Sequence, residues 1–297
     1  MNAGIHPGQS SMRTMTMSSP STKGEAFFLK VDHTQRFCIY HPAQMARHAV
    51  LYVHPFAEEM NRSRWMAALQ ARAFAAAGIA VLQIDLQGCG DSCGDFGDAR
   101  WQNWKQDLQA AHRWLTETTG LPVSLWGCRL GALLALDYGH GASDALGPYI
   151  LWQPVLDGYT HLTQFLRLRL ANQMLASQAG SQSNPSTQAL RDQLQRGASL
   201  EIAGYELSPE LASAIDLVNA IDLVPIGVHV LWLEVGTDPN RLPMAASKNV
   251  IAHWQRQQVR IDTYCVTGPS FWNTQEITQC PTLIDKTLTA LDQWKPS

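Results

Sequence analysis

Gly127-Cys128-Arg129-Leu130-Gly131 follows the apolar run Pro122-Val123-Ser124-Leu125-Trp126 and precedes the helix-forming Ala132-Leu133-Leu134-Ala135-Leu136. A strand, a Gly-x-X-x-Gly bend and a helix in succession thrust the central side chain outward, a geometry suited to a serine that attacks an acyl carbon. The central residue here is Arg129. A guanidinium stays protonated and cannot accept an acyl group. What it can do at a helix N-terminus, beside two oriented amides, is hold an anion: a carboxylate, a phosphate or an acidic sugar. The competing reading is an ion pair with Glu58 or Glu59.

Around this bend, acyl chemistry asks for oriented amides, an acid and a base. Val53-His54-Pro55-Phe56 ends an earlier strand, so the Phe56 N–H, together with that of Leu130, is a candidate to stabilise an oxyanion. His54 is either an acid or base at the mouth of the site or a strand-end imidazole bonded to backbone. Glu58, Glu59, Asn61, Ser63 and Arg64 crowd the loop and first turn that follow. Loops after parallel strands share one edge of a sheet, so Glu58 and Glu59 should converge with Arg129. The acid of a triad should follow Val228–Leu233, where Asp238 is the first candidate and Glu234 the weaker one. Asp238-Pro239-Asn240 reads equally as a turn that caps the next helix. The base is then due near Gly268-Pro269-Ser270-Phe271-Trp272, which holds no histidine. The one histidine after Asp238 is His253, inside an amphipathic helix and read as structural. Cys128 sits next to the bend but points elsewhere, and Ser92 belongs to a glycine-rich turn, Gly88-Cys89-Gly90-Asp91-Ser92.

The elements that must position these groups alternate. Ala26–Val31 and Arg36–Tyr40 suggest a hairpin. Strand signals at Val50–Val53, Ile79–Asp85, Val123–Trp126, Pro148–Trp152, Val228–Leu233 and Val259–Val266 are separated by helical patterns, among them about Ser63–Ala77, Trp101–Thr118 and Ala245–Gln258. Continuous apolar strands between helices imply a mostly parallel, doubly wound sheet covered on both faces, opened by an antiparallel hairpin. About seventy-five residues between Trp152 and Val228 exceed what the sheet needs. They carry helical patterns over Thr160–Gln178, near 187–196 and near 208–219, broken at Gly180–Pro185. This insertion, roughly 155–225, reads as a lid over the site or as a decoration on the sheet.

Composition bounds the rest. A hydrophobic share of 45% and ten tryptophans supply a large core, and a net charge of −3 gives no reason to expect nucleic acid as a partner. No apolar run is long enough for a transmembrane helix, and residues 1–25 lack the apolar stretch of a secretory signal and read as a disordered tail. Residues 26–297 then form one domain in the cytoplasm. Six scattered cysteines read as reduced thiols, and Cys89 and Cys93 have no histidine nearby to complete a metal site. Neither a metal nor a cofactor is expected.

The order of elements resembles the α/β-hydrolase fold. At a finer level, Pro55–Arg64, Gly88–Ser92, Trp126–Gly131 and Gly268–Trp272 resemble the exosortase A system-associated hydrolases of the second type, from about residue 25 to 293. That resemblance implies the company of exosortase, of proteins with PEP-CTERM sorting tails and of exopolysaccharide biosynthesis. It also implies a nominal hydrolase of ester or thioester bonds with a degenerate triad. Arg129, Glu59, His54 and Asp238 are the expected chemical groups, and Phe56, Glu58, Asn61, Arg64, Leu130 and Trp272 the expected ligand contacts. Three functions fit: a hydrolase using water attack, a non-catalytic binder of an acyl, ester or glycan ligand, and an interaction scaffold.

Overall fold

The computed structural model describes residues 23–142, 146–176, 186–238 and 243–294. Most of the expected tail, the break at 180–185 and the turn at 239–240 lie outside them. The chain opens with strands β1 (Glu25–Val31) and β2 (Thr34–His41), paired antiparallel from Glu25 opposite Tyr40 to Val31 opposite Thr34. Then follow β3 (His48–Val53), helix α1 (Glu58–Ala76), β4 (Ile79–Ile84), α2 (Trp101–Thr119), β5 (Val123–Cys128), α3 (Leu130–His140) and β6 (Leu146–Trp152). An insertion comprises α4 (Gly158–Ala176), α5 (Thr187–Gln195), the hairpin β7 (Leu200–Ile202) and β8 (Tyr205–Leu207), and α6 (Pro209–Asp216). β9 (Val230–Gly236), α7 (Ala245–Arg256), β10 (Ile261–Thr267) and α8 (Pro281–Gln293) complete the order.

Eight strands form one sheet in the order β1-β2-β4-β3-β5-β6-β9-β10. From β4 to β10 every pairing is parallel. The central strands β3 and β5 are buried almost throughout, as continuous apolar runs flanked by crossover helices require. Two layers of core result. On one face Leu51, Leu82, Leu125 and Leu151 pack under α2 and α3; on the other, Trp126, Trp152 and Phe271 stack edge-on beneath α1 and α8. The expected α/β-hydrolase architecture, with its opening hairpin, is what the structure has.

Three differences matter for the site. Helix α1 begins at Glu58, five residues before the expected start, so Glu58 and Glu59 are its first two residues. There carboxylates favour the helix dipole. The hairpin β7–β8 was not expected: two three-residue strands joined at Ala203 and Gly204, both at positive φ, are shorter than the patterns a strand reading relies on. The insertion also closes on a stem. Asp157 and Asn219 form an antiparallel bridge, Gly158 N–H donates to Val218 O at 2.9 Å, and Ala220 N–H donates to Leu156 O at 2.7 Å.

Candidate functional site

The bend after β5 has the conformation its sequence announces. Arg129 has φ 55° and ψ −123°, a region an L-residue occupies only at a cost. Its backbone is pinned: the N–H donates to Trp152 O at 3.0 Å, and the carbonyl accepts from Ala132 and Val155 N–H, both at 3.1 Å. The flanking glycines are dictated by close approach. A Cβ on Gly127 would lie 2.4 Å from Ala132 Cα, and one on Gly131 would lie 2.3 Å from the carbonyl oxygens of Val53 and His54. The arrangement therefore fixes where residue 129 projects.

The guanidinium meets Glu59. Arg129 Nε donates to both carboxylate oxygens at 3.2 and 3.3 Å, and Nη2 donates to Oε1 at 3.1 Å. A cation at a helix N-terminus opposes the dipole, and this carboxylate offsets it. Burial raises the Glu59 carboxyl above its ordinary pKa, against the opposing pull of Arg129. Arg129 Cζ also sits 5.5 Å from the centre of the Trp272 ring. The loop where a triad histidine was due thus presents Trp272 to the guanidinium.

These groups line a cavity of about 550 Å³, together with Phe56, Glu58, Arg62 and the α4 residues His161, Gln164 and Phe165. Arg62 Nε lies 3.7 Å from Glu58 Oε1. His161 is the residue sequence reasoning missed. It is 7% exposed, its ring stands 5.8 Å from that of Phe56, and its Nε2 has no hydrogen-bond partner among the described residues. Burial, reinforced by the Arg129 charge, pushes its pKa down to about 3, so the imidazole is neutral at any ordinary pH. A lone histidine on a helix carries no sequence signal for this placement.

The other expected site residues are placed as follows. His54 Nδ1 lies 2.7 Å from Pro55 O and Nε2 lies 3.2 Å from Leu86 N, so both ring nitrogens are engaged with backbone, as the strand-end reading expects. Asn61 and Arg64 turn away from the Arg129 cavity and line a separate one beneath α1, of about 370 Å³. Arg64 pairs with Asp85 at 2.9 Å. Asn61 Nδ2 donates to Glu58 Oε2 at 3.2 Å and to Tyr205 Oη at 3.0 Å. Tyr205 Oη in turn donates to Glu58 Oε2 at 3.1 Å, tying the β7–β8 hairpin to α1. Asp238 is exposed and is not among the residues that line the cavity. Glu234 is structural, accepting from Trp232 Nε1 and from Met244 N–H, both at 3.1 Å.

Phe56 and Leu130 are buried, and their N–H groups make no hydrogen bond to the described residues. Ser92 Oγ donates to Asp85 O at 2.5 Å and accepts from Phe37 N–H. Cys128 is fully buried, and desolvation raises its thiol far from thiolate formation. Neither side chain is available as a nucleophile at the cavity.

Sheet order, the bend at residue 129 and the insertion after β6 define an α/β-hydrolase fold. Residues 44–201 match the family Hydrolase_4 (serine aminopeptidase, S33), and the chain belongs to that family. Est1E from Butyrivibrio proteoclasticus with bound ferulic acid shares the fold, at 13% identity and a TM-score of 0.64 over 90% of this chain and 98% of that one. A thermostable carboxyl esterase from Bacillus coagulans in complex with glycerol is similar at 14% identity and a TM-score of 0.63, covering 91% and 98% of the two chains. A serine hydrolase homologue from Coxiella burnetii reaches 12% identity and a TM-score of 0.51 over 92% and 100%. No curated protein sequence matches. No helix among the described residues is long and apolar enough to cross a membrane.

Proposed function

We propose that this protein is a hydrolase-fold member of the exosortase A-associated branch that handles a small acyl, ester or glycan-type ligand without forming an acyl-enzyme. The observation that carries this reading is Arg129 at the bend, paired to Glu59 and facing Trp272 where a histidine was due. The insertion acts as a lid, since α4 supplies one wall of the Arg129 cavity.

The reaction is attack of water on an ester or thioester carbonyl. Glu59, its carboxyl raised by burial, takes the water proton as the oxygen–carbon bond forms. Arg129 and the Phe56 and Leu130 amides hold the oxyanion. Collapse expels the alcohol or thiol, which leaves with the proton from Glu59. For this, one Glu59 oxygen must leave Arg129. Because both oxygens are engaged there, a second reading stands beside the first: a pocket that binds the same ligand and does not turn it over.

Fluorophosphonate labelling and turnover of p-nitrophenyl acetate and butyrate separate the readings. Turnover without labelling, abolished by Arg129→Ala and by Glu59→Gln, supports water attack. Ligand binding without turnover supports the second reading. Stoichiometric labelling of a serine overturns both.

A further inference from the structure

We propose that His161 is a ligand-contacting residue that fits the cavity to an uncharged acyl compound, an ester or amide, in preference to a free carboxylate. This deepens the functional reading above and rests on it. The ionic groups of the cavity wall already cancel in pairs, Arg129 with Glu59 and Arg62 with Glu58. A carboxylate ligand would have to displace Glu59 from Arg129 or lie beside two carboxylates. An uncharged carbonyl meets neither penalty.

His161 has the complementary chemistry. A neutral imidazole offers one N–H donor and one acceptor, and its buried Nε2 has no partner among the described residues. Leaving such a group buried and unpaired is unfavourable, and a ligand carbonyl, hydroxyl or amide satisfies it. Its low pKa keeps the ring from adding a charge that would attract an anion. The same wall offers an apolar track. Phe165, one helical turn on, packs its ring 5.0 Å from that of Phe56, and Leu168 follows with 48% of its surface exposed. A carbonyl at His161 with its chain along Phe165 and Leu168 uses both features.

The test titrates the full-length protein with hexanamide and with sodium hexanoate, read by ligand-observed NMR and calorimetry. Two variants accompany it, His161→Phe, which keeps the ring packing, and His161→Gln, which restores a donor and an acceptor. The expected result is that hexanamide binds about tenfold or more tightly than hexanoate, weakens about tenfold in His161→Phe and recovers in His161→Gln, the loss of one buried hydrogen bond. Hexanoate affinity should not respond to His161→Phe. Hexanoate binding as tightly as hexanamide, or hexanamide binding unchanged in a folded His161→Phe, overturns the assignment of His161 and leaves the cavity as the binding site. Failure of both probes to bind wild-type protein overturns the functional reading together with this one.

Discussion

The turns that follow β3 and β5 share a backbone and differ in what holds them. Ala57 has φ 49° and ψ −128°, nearly the values of Arg129, and each caps the helix that follows. At the first turn the strain is absorbed by packing: Ala57 is 5% exposed, and Phe56 beside it makes edge contacts with Phe96, Trp104, His161 and Phe165. At the second it is absorbed by hydrogen bonds and an ion pair that faces the cavity. The strained bend is therefore a property of how this sheet feeds its helices, and it does not by itself mark a nucleophile. What distinguishes position 129 is the polar side chain it projects.

The largest expected effect is on the packed turn. Phe56→Ala should cost about 3–5 kcal/mol of unfolding free energy in urea titration, since it opens a void among four rings. A loss near zero would show that the first turn is not held by packing. At the second turn, Arg129→Ala should cost about 1–3 kcal/mol, because a partly buried carboxylate loses its donors. Glu59→Ala combined with it should be less damaging than the sum, and additive losses in the double-mutant cycle would dissolve the pair as an energetic unit.

The ion pair also leaves a signature in pH. The folded pKa of Glu59 lies above its ordinary 4.5. From 4.5 up to that folded value the native state binds more protons than the unfolded chain, so stability falls as pH rises through the window. Asp107, raised to about 6 by burial, adds a slope of the same sign. Glu59→Gln should flatten the Tm profile there relative to wild type. Arg129→Ala should carry the decline to higher pH, since the opposing guanidinium is gone. An unchanged profile in Glu59→Gln would show that Glu59 does not titrate differently on folding.

Smaller effects sharpen the contrast. Ala57→Gly should stabilise by about 1 kcal/mol by relieving strain, whereas Arg129→Gly should destabilise because the ion pair outweighs the same relief. Equal signs would erase the distinction between the turns. Tyr205→Phe should cost about 0.5–1 kcal/mol and speed hydrogen exchange in the β7–β8 hairpin, through loss of its bond to Glu58. Exchange that stays as slow as in wild type would mean that the hairpin is held by other contacts.

The fold was legible because its strands are continuous apolar runs and its bend is spelled by glycines that touch backbone. Arg129, Glu59 and Phe56 were legible for a related reason: each lies just past a strand or at the start of a helix on one edge of the sheet, while Trp272 belongs to the loop after the last strand, where the sequence already lacked a histidine. For His54 the sequence left two readings, and the geometry has the backbone-bonded one, with partners from Pro55 and from Leu86 in the next crossover. Asn61 and Arg64 were grouped with Glu59 by sequence proximity. A helix rotates about 100° per residue, so Arg62 rather than Arg64 shares the face of Glu58 and Glu59. His161 was illegible because its surroundings are set by how α4 docks over Phe56, a contact spanning more than a hundred residues.

The stem of the insertion has a consequence for how such a protein can change. Leu156 and Ala220 are joined by a hydrogen bond, so the segment between them begins and ends at nearly one point. It is a cassette whose ends already meet, replaceable by a foreign loop or by another helical cap without moving β6 or β9. Since His161, Gln164 and Phe165 belong to the cassette, and Arg129 and Glu59 to the frame, the helical wall of the cavity and the charged pair can diverge separately over evolution.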